Sequence, residues 1–300
     1  MSAISIVYNF NEQAYAFIQK SISHRLYIQI TNFTTIGYLL FVGLLCLKRI
    51  MPIFIFFWVH WYLSLFSQTF LMHRYAAHGS FTMSKGWERF FFVFAYITMG
   101  SSYLSPRVYA TMHRMHHAYT DTPDDPHSPK YFSTVLAMMN HTKNVYVSIQ
   151  HGATQVDERF LKNLPKWEAM DRLGDSWYSR ISWGLVYLAF YIVFAPSLWW
   201  FLLLPVQFLM SPVHGAIINW YAHKYGYTNH KLNNTSKNLL PVDVLMLGES
   251  YHNDHHQHAS SANFGTRWFE IDPVYYIILF FNSVGIVKLK APGMKVISEF

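Results

Sequence analysis

Two pairs of long apolar segments leave few folds open to this chain. Residues 28–47 are apolar over most of their length, and residues 50–72 follow after only Lys48 and Arg49. At about 1.5 Å rise per residue, about 20 residues in a helix cross a hydrocarbon core about 30 Å thick. The short break turns the pair into a helical hairpin. Residues 178–195 and 198–221 form a second pair, parted at Pro196-Ser197, with Trp177 and Tyr178 suited to a lipid–water interface. Residues 90–99 are too short to span and read as an interfacial or buried helix; residues 275–289 are a similar short segment.

Charge agrees with this. Charged residues make up 13% of the 300, against about 25% in soluble domains, so much of the exterior must face something other than water. With two hairpins, residues 1–26, 73–180 and 222–300 share one side of the bilayer. That side holds 21 of the 23 Lys and Arg, leaving only Lys48 and Arg49 on the other. The positive-inside rule then places both termini and the large middle segment in the cytoplasm. The architecture expected is all-α and integral to the membrane. It has one domain, with a four-span stem and a cytosolic helical cap over residues 73–177 and 222–300. A soluble bundle of buried helices does not account for the charge split. Polar runs such as Asn9–Gln13 argue against a signal peptide. The single cysteine, Cys46, excludes an internal disulfide and a cysteine-built metal site. Nothing in the chain calls for a nucleic-acid partner; its large partner is the bilayer.

Histidine is abundant: 17 residues, more than the 16 acidic ones. Three clusters lie just past the helix ends on the cytoplasmic side: His73 with His78, His113 with His116 and His117, and His252 with His255 and His256. In a helix, positions i, i+3 and i+4 lie on one face, so each of the last two clusters projects together. Asn219 and His223, four apart, also share a face. His73 and His78 are five apart, roughly 140° around a helix. They converge only if the helix ends or unwinds between them; otherwise they serve different ions. With His223 the clusters supply nine imidazoles, more than one ion takes, so the set points to two ions with four or five nitrogens each. Neutral imidazole suits Zn, Cu, Fe and Ni alike. Asn219 is the candidate to hold a coordinated water. Asp121, Asp124, Asp125, Glu249 and Asp254 are candidates to fix imidazole tautomers, the alternative for each being a solvated loop.

The three boxes, spaced H-x4-H, H-x2-H-H and H-x2-H-H, resemble those of the membrane fatty acid desaturases, specifically the acyl-CoA desaturase branch. Residues Thr111–His127, with their Asp-Asp-Pro-His ending, and Gly248–His256 are similar to that family's second and third boxes. Asn219-x3-His223 and Trp268-Phe-Glu-Ile-Asp-Pro273 resemble its later landmarks, and the resemblance covers residues 28–290. It implies two irons held by the nine histidines and O2-dependent formation of a cis double bond, at the Δ9 position, in a saturated acyl chain. The substrate it implies is acyl-CoA or another acyl carrier. Two electrons would come from a separate donor, cytochrome b5 or a ferredoxin, with its reductase. Either a bacterial inner membrane or the endoplasmic reticulum fits.

The chain departs from the animal pattern at Thr111 and Met112, where a charged pair would meet the CoA head group. Lys143, Arg159, Lys162, Lys166 and Arg172 are the remaining candidates for that role, against a solvated basic face beside a membrane. No His-Pro-Gly-Gly haem motif occurs, so the reductant is expected to be another protein. Two other functions compete: a di-iron hydroxylase or monooxygenase acting on an alkyl chain, and a metal transporter or sensor. The position of the boxes outside the spans counts against transport.

Overall fold

The computed structural model describes Lys20 and residues 50–290; the first apolar segment, residues 28–47, lies outside the described residues. Within them helices dominate, joined by turns and loops, with one two-stranded sheet.

Helix α1 runs from Ile50 to Ala77 and is long and apolar enough to cross a membrane. Its last ten residues, Gln68–Ala77, widen into a π-helix. A π-turn closes on the residue five along, and the His78 N–H bonds the His73 carbonyl at 3.1 Å. Residues five apart therefore stack, and the His73 and His78 rings lie with centroids 5.0 Å apart. The helix brings the pair together by widening, not by unwinding between them.

Helix α2, Lys85–Met99, is capped by Ser84 and buries Phe91, Phe92, Ala95 and Met99. Its Phe90, Val93 and Ile97 face outward, as a helix lying at an apolar boundary would present them. Helix α3, Pro106–Tyr119, begins with Ser105 as cap and Pro106 in its first turn. Helices α4, Val135–Gln150, and α5, Glu168–Asp175, complete the middle segment. Helix α6, Trp177–Phe194, matches the third apolar segment to within a residue and leaves Ile181, Leu185, Ile192 and Val193 exposed.

The fourth segment departs from a straight span. Leu198–Phe208 (α7) and Met210–Tyr221 (α8) meet at a 72° bend. Pro212 causes it: it has no N–H for the Phe208 carbonyl, and its ring clashes with that group. The freed carbonyl accepts a hydrogen bond from Ser101 Oγ at 3.0 Å.

Residues 275–289 are likewise not one segment. Helix α10, Pro273–Ser283, is capped by Asp272 and follows the short helix α9, His252–Gln257. The chain turns at Gly285 (φ 77°) and ends in strand β2, Val287–Leu289. This pairs antiparallel with β1, Phe81–Met83, with Phe81 opposite Leu289. The largest apolar core joins the end of α1 to α2 and α10 through Phe70, Leu71, Met72, Phe92, Val274 and Ile278, directly behind His73.

Candidate metal centre

The nine histidines gather into two groups. His73, His78, His113, His117 and His255 form one; His116, His223, His252 and His256 form the other. Within each group the ring nitrogens converge through Nε2. In the first, His73 and His255 are 2.9 Å apart, His78 and His113 2.8 Å, His113 and His117 3.0 Å, and His117 and His255 2.9 Å. In the second, His116 and His256 are 3.2 Å apart, His223 and His252 3.0 Å, and His252 and His256 3.1 Å. A shared face did not mean a shared centre: His116 parts from its box mates on α3, and His255 from its neighbours on α9.

So many mutually close nitrogens cannot all pair through single protons, but they fit a cation. Imidazole nitrogens about 2.1 Å from a divalent ion lie about 3.0 Å apart at right-angled bonds and about 3.4 Å apart in a tetrahedron. The observed 2.8–3.2 Å is compatible with ring nitrogens gathered around a divalent ion. Burial, reinforced by the neighbouring imidazoles, pushes His78, His113, His117, His252, His255 and His256 well below the ordinary histidine pKa. Neutral rings with free lone pairs are the form that binds metal.

Three of the outward nitrogens are held by partners, whereas Nδ1 of His252 and of His255 meets no hydrogen-bond partner among the described residues. His73 Nδ1 meets Glu249 Oε2 at 2.6 Å, and His116 Nδ1 meets both oxygens of Asp125 at 2.9 and 3.0 Å. His223 Nδ1 lies 3.1 Å from Thr235 Oγ1. Thr235 N donates to Asp121 at 2.6 Å, so Asp121 stands behind His223, with its carboxylate 4.0 Å from Nδ1. Asp124, next to Asp125 in sequence, is exposed and belongs to neither group. Asp254 is buried but faces away from the centre, accepting from Asn229 and Asn238 at 2.9 and 2.7 Å and lying 3.1 Å from His230. Burial and the adjacent Glu270 carboxylate push its pKa up.

Several participants carry no sequence signal of their own. Arg74 is fully buried beside His73. It donates to Glu249 at 3.1 Å and Asp272 at 2.7 Å, and also bonds Thr69, whose hydroxyl donates to Glu249. Burial would raise the Glu249 carboxyl, but His73 and Arg74 hold it below its ordinary value. Asp272 falls within the tail motif at residues 268–273, which marked the segment but not its partner. His127, which ends the second-box motif, packs at a tilt against His116 with ring centroids 4.2 Å apart.

A cavity of about 390 Å³ opens beside the histidines. His73, His113, His252 and Asn219 border it, and Leu65, Leu104, Met112, Leu209, Ile218 and Met246 make its walls apolar. At its outer end stand the exposed Leu136, Asn140 and Lys143 of α4. Of the basic candidates only Lys143 borders this cavity. Lys166 and Arg172 line a separate surface cleft with Arg107 and face Glu168 at 2.7 and 3.9 Å. Arg159 bonds the Tyr119 hydroxyl at 2.8 Å, and Lys162 is exposed nearby.

A buried cluster of imidazoles bordering an apolar cavity suits a metal-dependent enzyme. Comparison with known proteins makes the assignment specific: the family model "Fatty acid desaturase" matches residues 49–279, and the chain belongs to that family. Delta-9 acyl-lipid desaturase 1 of Arabidopsis thaliana is 32% identical over 230 residues, covering 74% of this chain and 71% of the relative. Delta-9 acyl-lipid desaturase 2 of the same plant is 30% identical over 229 residues, covering 73% and 69%. An acyl-CoA 5-desaturase of Anemone leveillei is 27% identical over 292 residues, covering 91% and 83%. The protein is thus an oxidoreductase of the desaturase type, acting in fatty acid metabolism.

Proposed function

We propose that the protein forms a cis double bond, at the Δ9 position, in a saturated fatty acyl chain carried by CoA or a lipid. It would consume O2 and two electrons from a separate carrier such as cytochrome b5 or a ferredoxin. Two hydrogens leave the chain and, with two electrons and two protons, O2 ends as two waters. One iron would be held by His73, His78, His113, His117 and His255, the other by His116, His223, His252 and His256, with Asn219 holding a coordinated water. When bound, the irons supply the redox chemistry that attacks unactivated C–H bonds. Glu249, Asp125 and Thr235 keep the Nδ1 atoms of His73, His116 and His223 occupied, so their Nε2 lone pairs face the ions. The apolar walls exclude water and hold a chain with no polar handle where it reacts. Lys143 at the outer end suits an anionic head group.

The accompanying topology is one domain of four spans in two hairpins, with both termini and the histidines on the cytoplasmic side. The length of α1 and the apolar side chains exposed on α1 and α6 support it.

The observation that carries the reading is the convergence of nine histidines beside an apolar cavity. The test is purified protein analysed for iron, then incubated with saturated acyl-CoA, O2 and a reducing system. Bound iron and an alkene product are expected. A hydroxylated product without alkene would make the enzyme a hydroxylase, and metal uptake into vesicles without lipid oxidation would make it a transporter.

A further inference from the structure

The cavity wall is not uniformly apolar. Gln68 on α1 and His214 on α8 line it, and both are buried, at 7% and 1% exposure. Among the described residues, Gln68 Oε1 and both ring nitrogens of His214 have no hydrogen-bond partner. The Trp61 ring meets His214 edge-on at 4.5 Å and fixes the plane of the imidazole. Gln68 precedes His73 by five residues and His214 precedes Asn219 by five, and both helices run toward the histidines. Each polar group therefore lies about 6–8 Å further in than the groups bordering the centre. A plain alkyl chain threading past would leave these groups unpaired in an apolar setting, which is costly and, within a membrane stem, marks function.

The donor set selects a ligand chemistry. An imidazole offers one N–H and one acceptor nitrogen; a carboxamide offers an acceptor oxygen and donor N–H groups. A hydroxyl both donates and accepts, so it can accept the ring N–H of His214 while donating to Gln68 Oε1. A ketone or ether only accepts, and a methylene does neither. Building on the acyl-chain reading above, we infer that the preferred substrate is a hydroxylated acyl chain. Its hydroxyl would sit beyond the carbons to be desaturated, between His214 and Gln68.

The test uses the full-length, metal-loaded protein and a series of acyl chains of one length, with a single hydroxyl moved carbon by carbon along the distal half. Each competes for binding against a labelled unmodified chain. One or two adjacent hydroxyl positions are expected to bind about tenfold tighter than the unmodified chain. That ratio should fall to about one in Gln68→Leu and in His214→Phe. A flat series in the unsubstituted protein overturns the inference, pointing to water on these groups; so does an advantage that survives both substitutions. If either variant does not fold, the series in the unsubstituted protein decides alone. Binding is read without turnover, so a failure of the desaturase reading, in which no chain yields an alkene, is scored separately.

Discussion

The two histidine groups draw on the same two boxes in opposite ways. From α3, His113 and His117 enter the five-membered group and His116 crosses to the four-membered one; from α9, His252 and His256 enter the four-membered group and His255 crosses to the five-membered one. In both boxes the i, i+4 pair stays together and the i+3 residue is exchanged. The groups are thus locked through both helices, yet they are supported differently. The five-membered group rests on a buried charge network joining α1, the loop before α9 and the cap of α10, through Arg74, Glu249 and Asp272. The four-membered group rests on loop residues: Asp125, just beyond α3, and Thr235, beyond α8. One centre is tied to the global fold, the other to local turns.

The largest effect should come from Arg74→Leu. It leaves Glu249 and Asp272 buried without their cation, at a cost of about 3–5 kcal/mol. Thermal unfolding in detergent should show a large drop, and an unchanged midpoint would erase the distinction between the two supports. Next come His255→Ala and His116→Ala, which should abolish turnover and lower bound iron while the chain still inserts in the membrane. Full activity in either variant breaks the ligand assignment. A smaller effect is expected from Glu249→Gln and Asp125→Asn, about 10–100-fold in metal affinity. The Glu249 change should also lower thermal stability, whereas the Asp125 change should not; equal behaviour would mean that both supports are local. The smallest effect on metal belongs to Asn219→Ala, which should slow turnover while iron content holds. Parallel loss of both would make Asn219 structural.

Much of the site was legible because box spacing is local information: nine histidines stood out from sequence alone, and the structure brings the same nine together. Their division was not legible, since positions i, i+3 and i+4 share a face whether or not they share a centre. Asp124 and Asp125 are alike in sequence, and only the turn after α3 buries one and exposes the other. Arg74 and Asp272 are nearly two hundred positions apart, so nothing local couples them. The bend in the fourth segment was visible in principle at Pro212, but its hydropathy is unbroken there, and apolarity alone reads as a straight rod.

The π-helical end of α1 has a consequence for how this protein tolerates change. Such winding behaves like an α-helix carrying a surplus residue, kept because the H-x4-H spacing needs it. Deleting one residue between Gln68 and Met72 would let the segment relax to ordinary winding. His73 and His78 would then stand roughly 140° apart around the axis and no longer converge. Substitutions along α1 alter one side chain each, whereas a change in length shifts the register of the whole helix. Insertions and deletions in the stretch before His73 should therefore be far rarer among functional variants than substitutions at the same positions.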